Sequence, residues 1–359
     1  MQGKSRRWWP VAKALLSLAI LFYLGRSFAR DLARPELYDQ PFHLGWLVPA
    51  GLLYLAGLSA SALYWRWLLT ALGQRPPLAA TLRAYFLGQL GKYVPGKALA
   101  LLLRAALMRR AGVSAGLAGL TAFYEVLVTM AAGALLALLL FLAAGAARPG
   151  LPGRPEITRL WHALRAGDVP DEGLSPPLLF AFCLALLAAF WPVVPAAFNR
   201  LAARLSLPFR DPAAVPPPVR LSWLAGGLLV LAAVVWPLFG LALALALHAV
   251  GGAGFPWTAA ALAQLTAAMA LAYVAGFVVL LSPGALGVRE AFLALLLTPA
   301  LAAAHPALTA DDARGKVLLA ALLLRLAWTA AELLPVFAFW SLDLGCWVAR
   351  PAPDLLRPG

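Results

Sequence analysis

Charge is scarce in this chain: only 12% of its 359 residues are Asp, Glu, Lys or Arg. No polar stretch approaches the roughly 100 residues that a soluble catalytic domain needs. The longest polar connection covers 146–176, so one membrane-embedded domain over 1–350 and a short cytoplasmic tail at 351–359 are expected. Cysteine is nearly absent. Cys183 and Cys346 lie in or at the end of apolar segments, without metal or redox spacing. The four histidines, His43, His162, His248 and His305, are isolated, and there is neither a paired-acid motif nor a Walker-type phosphate loop. Catalytic residues, a metal site and a cofactor are therefore not expected, which disfavours an intramembrane lipid-modifying enzyme.

Apolar residues are abundant, 63% of the chain, and they come in runs near the roughly 20 residues that cross a bilayer. The net charge of +14 is scattered between these runs rather than gathered on one patch, which argues for membrane topology and against nucleic acid. Six segments are long enough to span, at 11–29, 44–71, 117–144, 177–198, 221–249 and 317–347. The first has the basic flank of a signal peptide but no clear small-x-small site after it, so it is expected to remain as a span. Two further segments are broken. One runs over 84–103 around LGKYVPGKALA (90–100). The other joins 258–281 to 291–304 through LLSPGALGVRE (280–290).

If each broken segment returns to the side it entered from, eighteen lysines and arginines fall on the N-terminal side and ten opposite, with Arg325 inside a span. That bias predicts cytoplasmic termini. The Ala, Leu, Arg and Pro bias resembles a high-GC bacterial coding sequence, which makes the bacterial inner membrane the expected location. Residues 1–172 and 173–350 each read as span, long span, broken segment, span, in opposite orientation. The fold expected is thus an all-α polytopic membrane protein with about six full spans and two re-entrant breaks in two inverted halves. Ordinary kinked spans are the alternative. Matched Pro/Gly breaks in inverted halves point to a transporter's binding site.

Unwound backbone at membrane depth is tolerated only inside protein or beside water. At the first break Pro95 cannot donate a hydrogen bond and Gly96 permits unusual dihedrals, so a new helix can begin near Lys97. Its free N–H groups, Lys92, Lys97 and the Tyr93 hydroxyl suit an anion, a phosphate above all. The competing reading is a cytoplasmic turn whose lysines reach lipid headgroups. At the second break Ser282 is a candidate cap, Pro283 and Gly284 make the turn, Gly287 allows close approach, and Arg289 and Glu290 begin the return helix. A loop salt bridge would explain that last pair equally.

Glu125, Arg325 and Glu332 lie within apolar spans, where charges face the interior. Glu125 is expected either to handle substrate or protons or to neutralise Lys92, Lys97 or Arg289. Arg325 and Glu332 share a helix face about 10 Å apart along the axis, so each needs another partner. Arg66, in YWRWLL, reads as an interfacial anchor, and GVSAG (112–116) is a weak small-xxx-small match.

LGKYVPGK, Arg104 with AGVS at 111–114, Glu125, and PGALGVREA at 283–291 together resemble the lysylphosphatidylglycerol synthase transmembrane-region family. This flippase-like family forms the membrane half of bacterial multiple peptide resistance factors. Ala285 stands where the family often has a second glycine, and Val126 where it often has arginine. The resemblance covers roughly 10–345. It implies a lipid translocase whose partners are the bilayer and a lipid with a phosphate headgroup, either an anionic phospholipid or a polyprenyl-phosphate-linked glycolipid. The soluble aminoacyl-transferase domain of bifunctional relatives is not expected. The alternative is a non-transporting scaffold for a glycosyltransferase or lipid synthase.

Overall fold

The computed structural model describes residues 41–93, 98–146, 194–205, 218–251, 254–278 and 287–344, with Arg26 and a few positions between 181 and 188. The expected span over 11–29 falls outside these residues except for Arg26, and that over 177–198 is described only in part. The tips of both breaks, 94–97 and 279–286, also fall outside.

Among the described residues every regular element is a helix. A 3-10 turn, Leu44–Trp46, leads into α1 (Leu47–Ala71). Then come α2 (Leu78–Gln89), a 3-10 turn over Leu90–Tyr93, α3 (Ala98–Arg110) and α4 (Ala115–Ala146). The second part holds α5 (Pro195–Leu205), α6 (Leu221–Val230), α7 (Trp236–Ala249), α8 (Ala259–Val278), α9 (Val288–Ala304) and α10 (Ala310–Leu344). A single π turn over Leu231–Val235 joins α6 to α7 just before Pro237. Proline has no N–H to give the preceding turn, and the backbone rearranges around that missing bond.

Among the described residues, five helices are long and apolar enough to cross a bilayer: Leu44–Ala71, Ala115–Ala143, Leu221–Ala249, Ala259–Val278 and Ala310–Phe339. Hydropathy alone treats 258–281 as one limb of a broken segment, yet α8, at 20 residues and about 30 Å, could cross unaided. The last span starts at Ala310 rather than 317. Thr309 caps it, its Oγ1 accepting the Asp312 N–H at 3.1 Å while donating to Asp312 Oδ2 at 2.6 Å. A hydropathy window discards this polar first turn, but the cap makes it helical. Buried Lys316, two turns on, donates to the Gly251 carbonyl at 2.6 Å and fastens α10 to the turn after α7.

Small residues let the helices approach closely, which drives association where lipid is as apolar as the side chains. Among the described spans α8 is the most enclosed, with buried Ala267, Ala268, Ala270 and Ala272 between α7, α4 and α9. At Gly91 a Cβ would overlap the Ala100 backbone, and at Gly88 it would lie 2.6 Å from Arg104 Cγ. These pairings fix α2 and α3 as antiparallel limbs.

Polar contacts define the two ends of the bundle. At one end Gln74 Oε1 accepts the Ser114 N–H at 3.2 Å, joining the entrance of α2 to the exit of α3. At the other, His305 Nε2 meets the Gly254 carbonyl at 2.7 Å, joining the exit of α9 to the entrance of α8. The His43 N–H donates there to Ala249 O at 2.9 Å. The two helix pairs thus open at opposite ends of the bundle.

Candidate functional site

The inner ends of the two helix pairs meet α1 and α10. Lys92, in the 3-10 turn after α2, forms an ion pair with Glu332 of α10 and donates to the Tyr54 hydroxyl of α1 at 3.1 Å. The Tyr54 hydroxyl in turn donates to Glu332. At the second break Gly287, at φ +83°, caps α9, and its N–H donates to Glu290 Oε2 at 2.9 Å. A residue with a Cβ would be strained at that φ, which accounts for the glycine. The other Glu290 oxygen accepts from Arg325 at 2.8 Å and from Arg289 at 3.4 Å. Trp328 links the two halves of the cluster. Its ring stacks on Tyr54 at 4.2 Å with planes 6° apart, and the Arg289 guanidinium lies 5.1 Å from its centroid.

The five ionisable side chains named here comprise three basic and two acidic groups, an excess of basic groups among the described residues. Glu290 and Glu332 are sealed, at 0% and 1% exposure, whereas the Lys92 and Arg325 side chains retain 27% and 18%. The cations, not the acids, are what an approaching molecule meets. Such an arrangement attracts an anion, and in a low-dielectric surround the attraction is far stronger than in water.

Glu125 belongs to a separate cluster. Arg104 of α3 pairs with its Oε2 at 2.9 Å, and the Tyr85 hydroxyl of α2 donates to Oε1 at 3.1 Å. Thr129 adds a bond at 3.2 Å. The Arg104 guanidinium rests on the Tyr85 ring at 3.8 Å and near Trp65 at 5.5 Å. Arg104 thus takes the place expected of Lys92 or Arg289 beside Glu125, while Lys97, the third expected partner, lies outside the described residues. Arg104 lies six positions before the end of α3, so antiparallel folding of the two limbs brings it over Gly88 and against α4.

Of the residues singled out from the sequence, the structure gathers Lys92, Arg289, Glu290, Arg325 and Glu332 into one cluster, with Gly287 as cap. Pro95, Gly96, Lys97, Ser282, Pro283 and Gly284 lie outside the described residues, and for Tyr93 only the backbone is described. Arg325 and Glu332 do find separate partners, as their spacing requires. Arg66 donates to Pro76 O at 3.1 Å and closes the α1–α2 turn. GVSAG opens with a helix-ending turn, with Gly112 at φ +80° and the Val113 N–H bonded to Met108 O at 3.1 Å. Sequence reasoning missed Tyr54 and Trp328. Trp328 shares the helix face of Arg325 and Glu332 by i, i+3, i+7 spacing, a signal that could have found it. Tyr54 has no such mark, because its role depends on contacts far away in the chain.

Apolar crossing helices around a buried, mixed-charge cluster define a multi-pass membrane protein with a polar interior. The chain matches the lysylphosphatidylglycerol synthase TM region over residues 11–310 and belongs to that family. The match ends at the first residue of α10, so Arg325, Trp328 and Glu332 lie beyond it. No curated protein matches the chain.

Proposed function

We propose that this protein is a translocase, not an enzyme, and that it moves a phosphate-bearing lipid between the leaflets of the bacterial inner membrane. The substrate class is an anionic phospholipid or a polyprenyl-phosphate-linked glycolipid. The observation that carries this reading is the meeting of two helix pairs that open at opposite ends, with Lys92, Arg289 and Arg325 outnumbering Glu290 and Glu332 where they meet. In this reading each pair is re-entrant. The limbs of the first pair support that: α2 and α3 have 12 and 13 residues, about 20 Å each, too short to cross. Two re-entrant pairs of opposite orientation fit inverted halves over 1–172 and 173–350, with both termini cytoplasmic. Rocking of the halves would expose the central cations to either side in turn.

The test is movement of a fluorescent anionic phospholipid between leaflets of proteoliposomes. The wild type should accelerate it, and Arg289→Gln and Lys97→Gln should each reduce it to the protein-free rate while retaining the wild-type melting profile. Normal movement in both variants would defeat the phosphate-binding role. No movement by the wild type, with stable co-purification of a glycosyltransferase or lipid synthase, would favour a scaffold instead.

A further inference from the structure

Glu332 is sealed from solvent, yet its counter-charge, Lys92, is the most exposed member of the cluster. Its carboxylate takes hydrogen bonds from an ammonium and a phenol, Lys92 and Tyr54, donors that a lipid phosphate would use equally well. Beside them are two further N–H groups, Arg289 Nε and Trp328 Nε1, both buried without a hydrogen-bond partner. They belong to side chains in contact with each other, and the Trp328 ring is stacked on Tyr54. Buried donors left unmet are costly. A tetrahedral oxyanion spreads its oxygens over a wider arc than a planar carboxylate and can satisfy more of these donors.

Resting on the translocase reading above, we infer that the Glu332 carboxylate is the internal counter-anion of a phosphodiester site. It holds the place beside Lys92, Tyr54 and Trp328 that a lipid phosphate takes, and substrate binding exchanges one for the other. A carboxylate and a phosphodiester each carry one negative charge, so the exchange leaves the charge balance around the three cations unchanged. A diphosphate needs donors for a second phosphate, and the four donors named here, Lys92, Tyr54, Arg289 Nε and Trp328 Nε1, serve only one. The site therefore selects phosphodiester lipids, whether glycerophospholipids or sugars carried on a polyprenyl monophosphate, over polyprenyl diphosphates. Arg104 also has a buried Nε without a partner, but its one-to-one pairing with Glu125 has no surplus cation to attract a second anion.

The experiment titrates purified full-length protein in detergent with three probes: short-chain phosphatidylglycerol, a polyprenyl monophosphate hexose and a polyprenyl diphosphate. Tryptophan fluorescence and native mass spectrometry report binding. One of the two phosphodiesters should bind tightest, and which one it is identifies the source. Glu332→Gln, which removes the competitor, should bind that lipid about tenfold tighter, and Trp328→Phe about tenfold weaker, the size of one charge-assisted hydrogen bond. If Glu332→Gln does not fold, Glu332→Asp, with its shorter reach to Lys92, should still tighten binding. Unchanged or weaker binding by the Glu332 variants, or tightest binding of the diphosphate, overturns the inference. A wild type that binds none of the three lipids defeats the translocase reading itself, whereas lipid movement without tighter binding in Glu332→Gln defeats only the exchange.

Discussion

Glu125 and Glu332 are both carboxylates inside long apolar helices, but their neighbours differ in kind. Glu125 faces one cation, Arg104, and both side chains are sealed, at 2% and 4% exposure. Among the described residues the pair is balanced one to one, and it ties α3 to α4. Removing one member leaves the other charged and buried. Arg104→Met or Glu125→Leu alone should destabilise the protein by about 3 kcal/mol, while the double variant should recover much of that loss. Thermal unfolding in detergent checks this, and additive losses would show that the two side chains do not act as a pair. The existence of these buried charges was legible in the sequence, because a glutamate in TAFYEVLVTM has no inexpensive alternative to a partner. The identity of the partner was not. Arg104 lies 21 positions away, and only the antiparallel return of α3 along α2 selects it over the lysines.

Among the elements, the first helix pair depends on two glycines used for different reasons. Gly91 has no room for a Cβ because the Ala100 backbone occupies it, whereas Gly112 has open space around it but sits at φ +80°. Gly112→Ala should therefore cost about 1 kcal/mol of backbone strain. Gly91→Ala should cost distinctly more, because two backbones must separate and Lys92, the next residue, moves with them. Melting temperatures would rank the two, and lipid binding should fall in Gly91→Ala alone. Equal effects on both measurements would mean that the limbs are not held as closely as this. The Pro-Gly breaks were legible because neither residue suits a helix interior. Hydropathy could not place the start of α10, because the Thr309 cap overrides the polarity of Asp311 and Asp312.

At the scale of the molecule, the consequential feature is that the two helix pairs open at opposite ends, one marked by Gln74 and Ser114, the other by Gly254 and His305. The proposed orientation adds a direction to be tested: the Ser114 end, which lies among the basic connections, would face the cytoplasm. Both statements can be tested together with single cysteines, since Cys183 and Cys346 are the only native ones and can be replaced by alanine. Ser114 and Ala307 are both exposed, in the turns that close the first and second helix pairs. A membrane-impermeant maleimide added to spheroplasts should label Ala307→Cys and leave Ser114→Cys unmodified, and inverted vesicles should give the reverse. Labelling of both from one face would place both openings on the same side. A central anion site would then have no second exit, and the alternating exposure of Lys92, Arg289 and Arg325 would have to be abandoned. Labelling from opposite faces, but with the sides exchanged, would keep the mechanism and overturn only the orientation taken from the lysines and arginines.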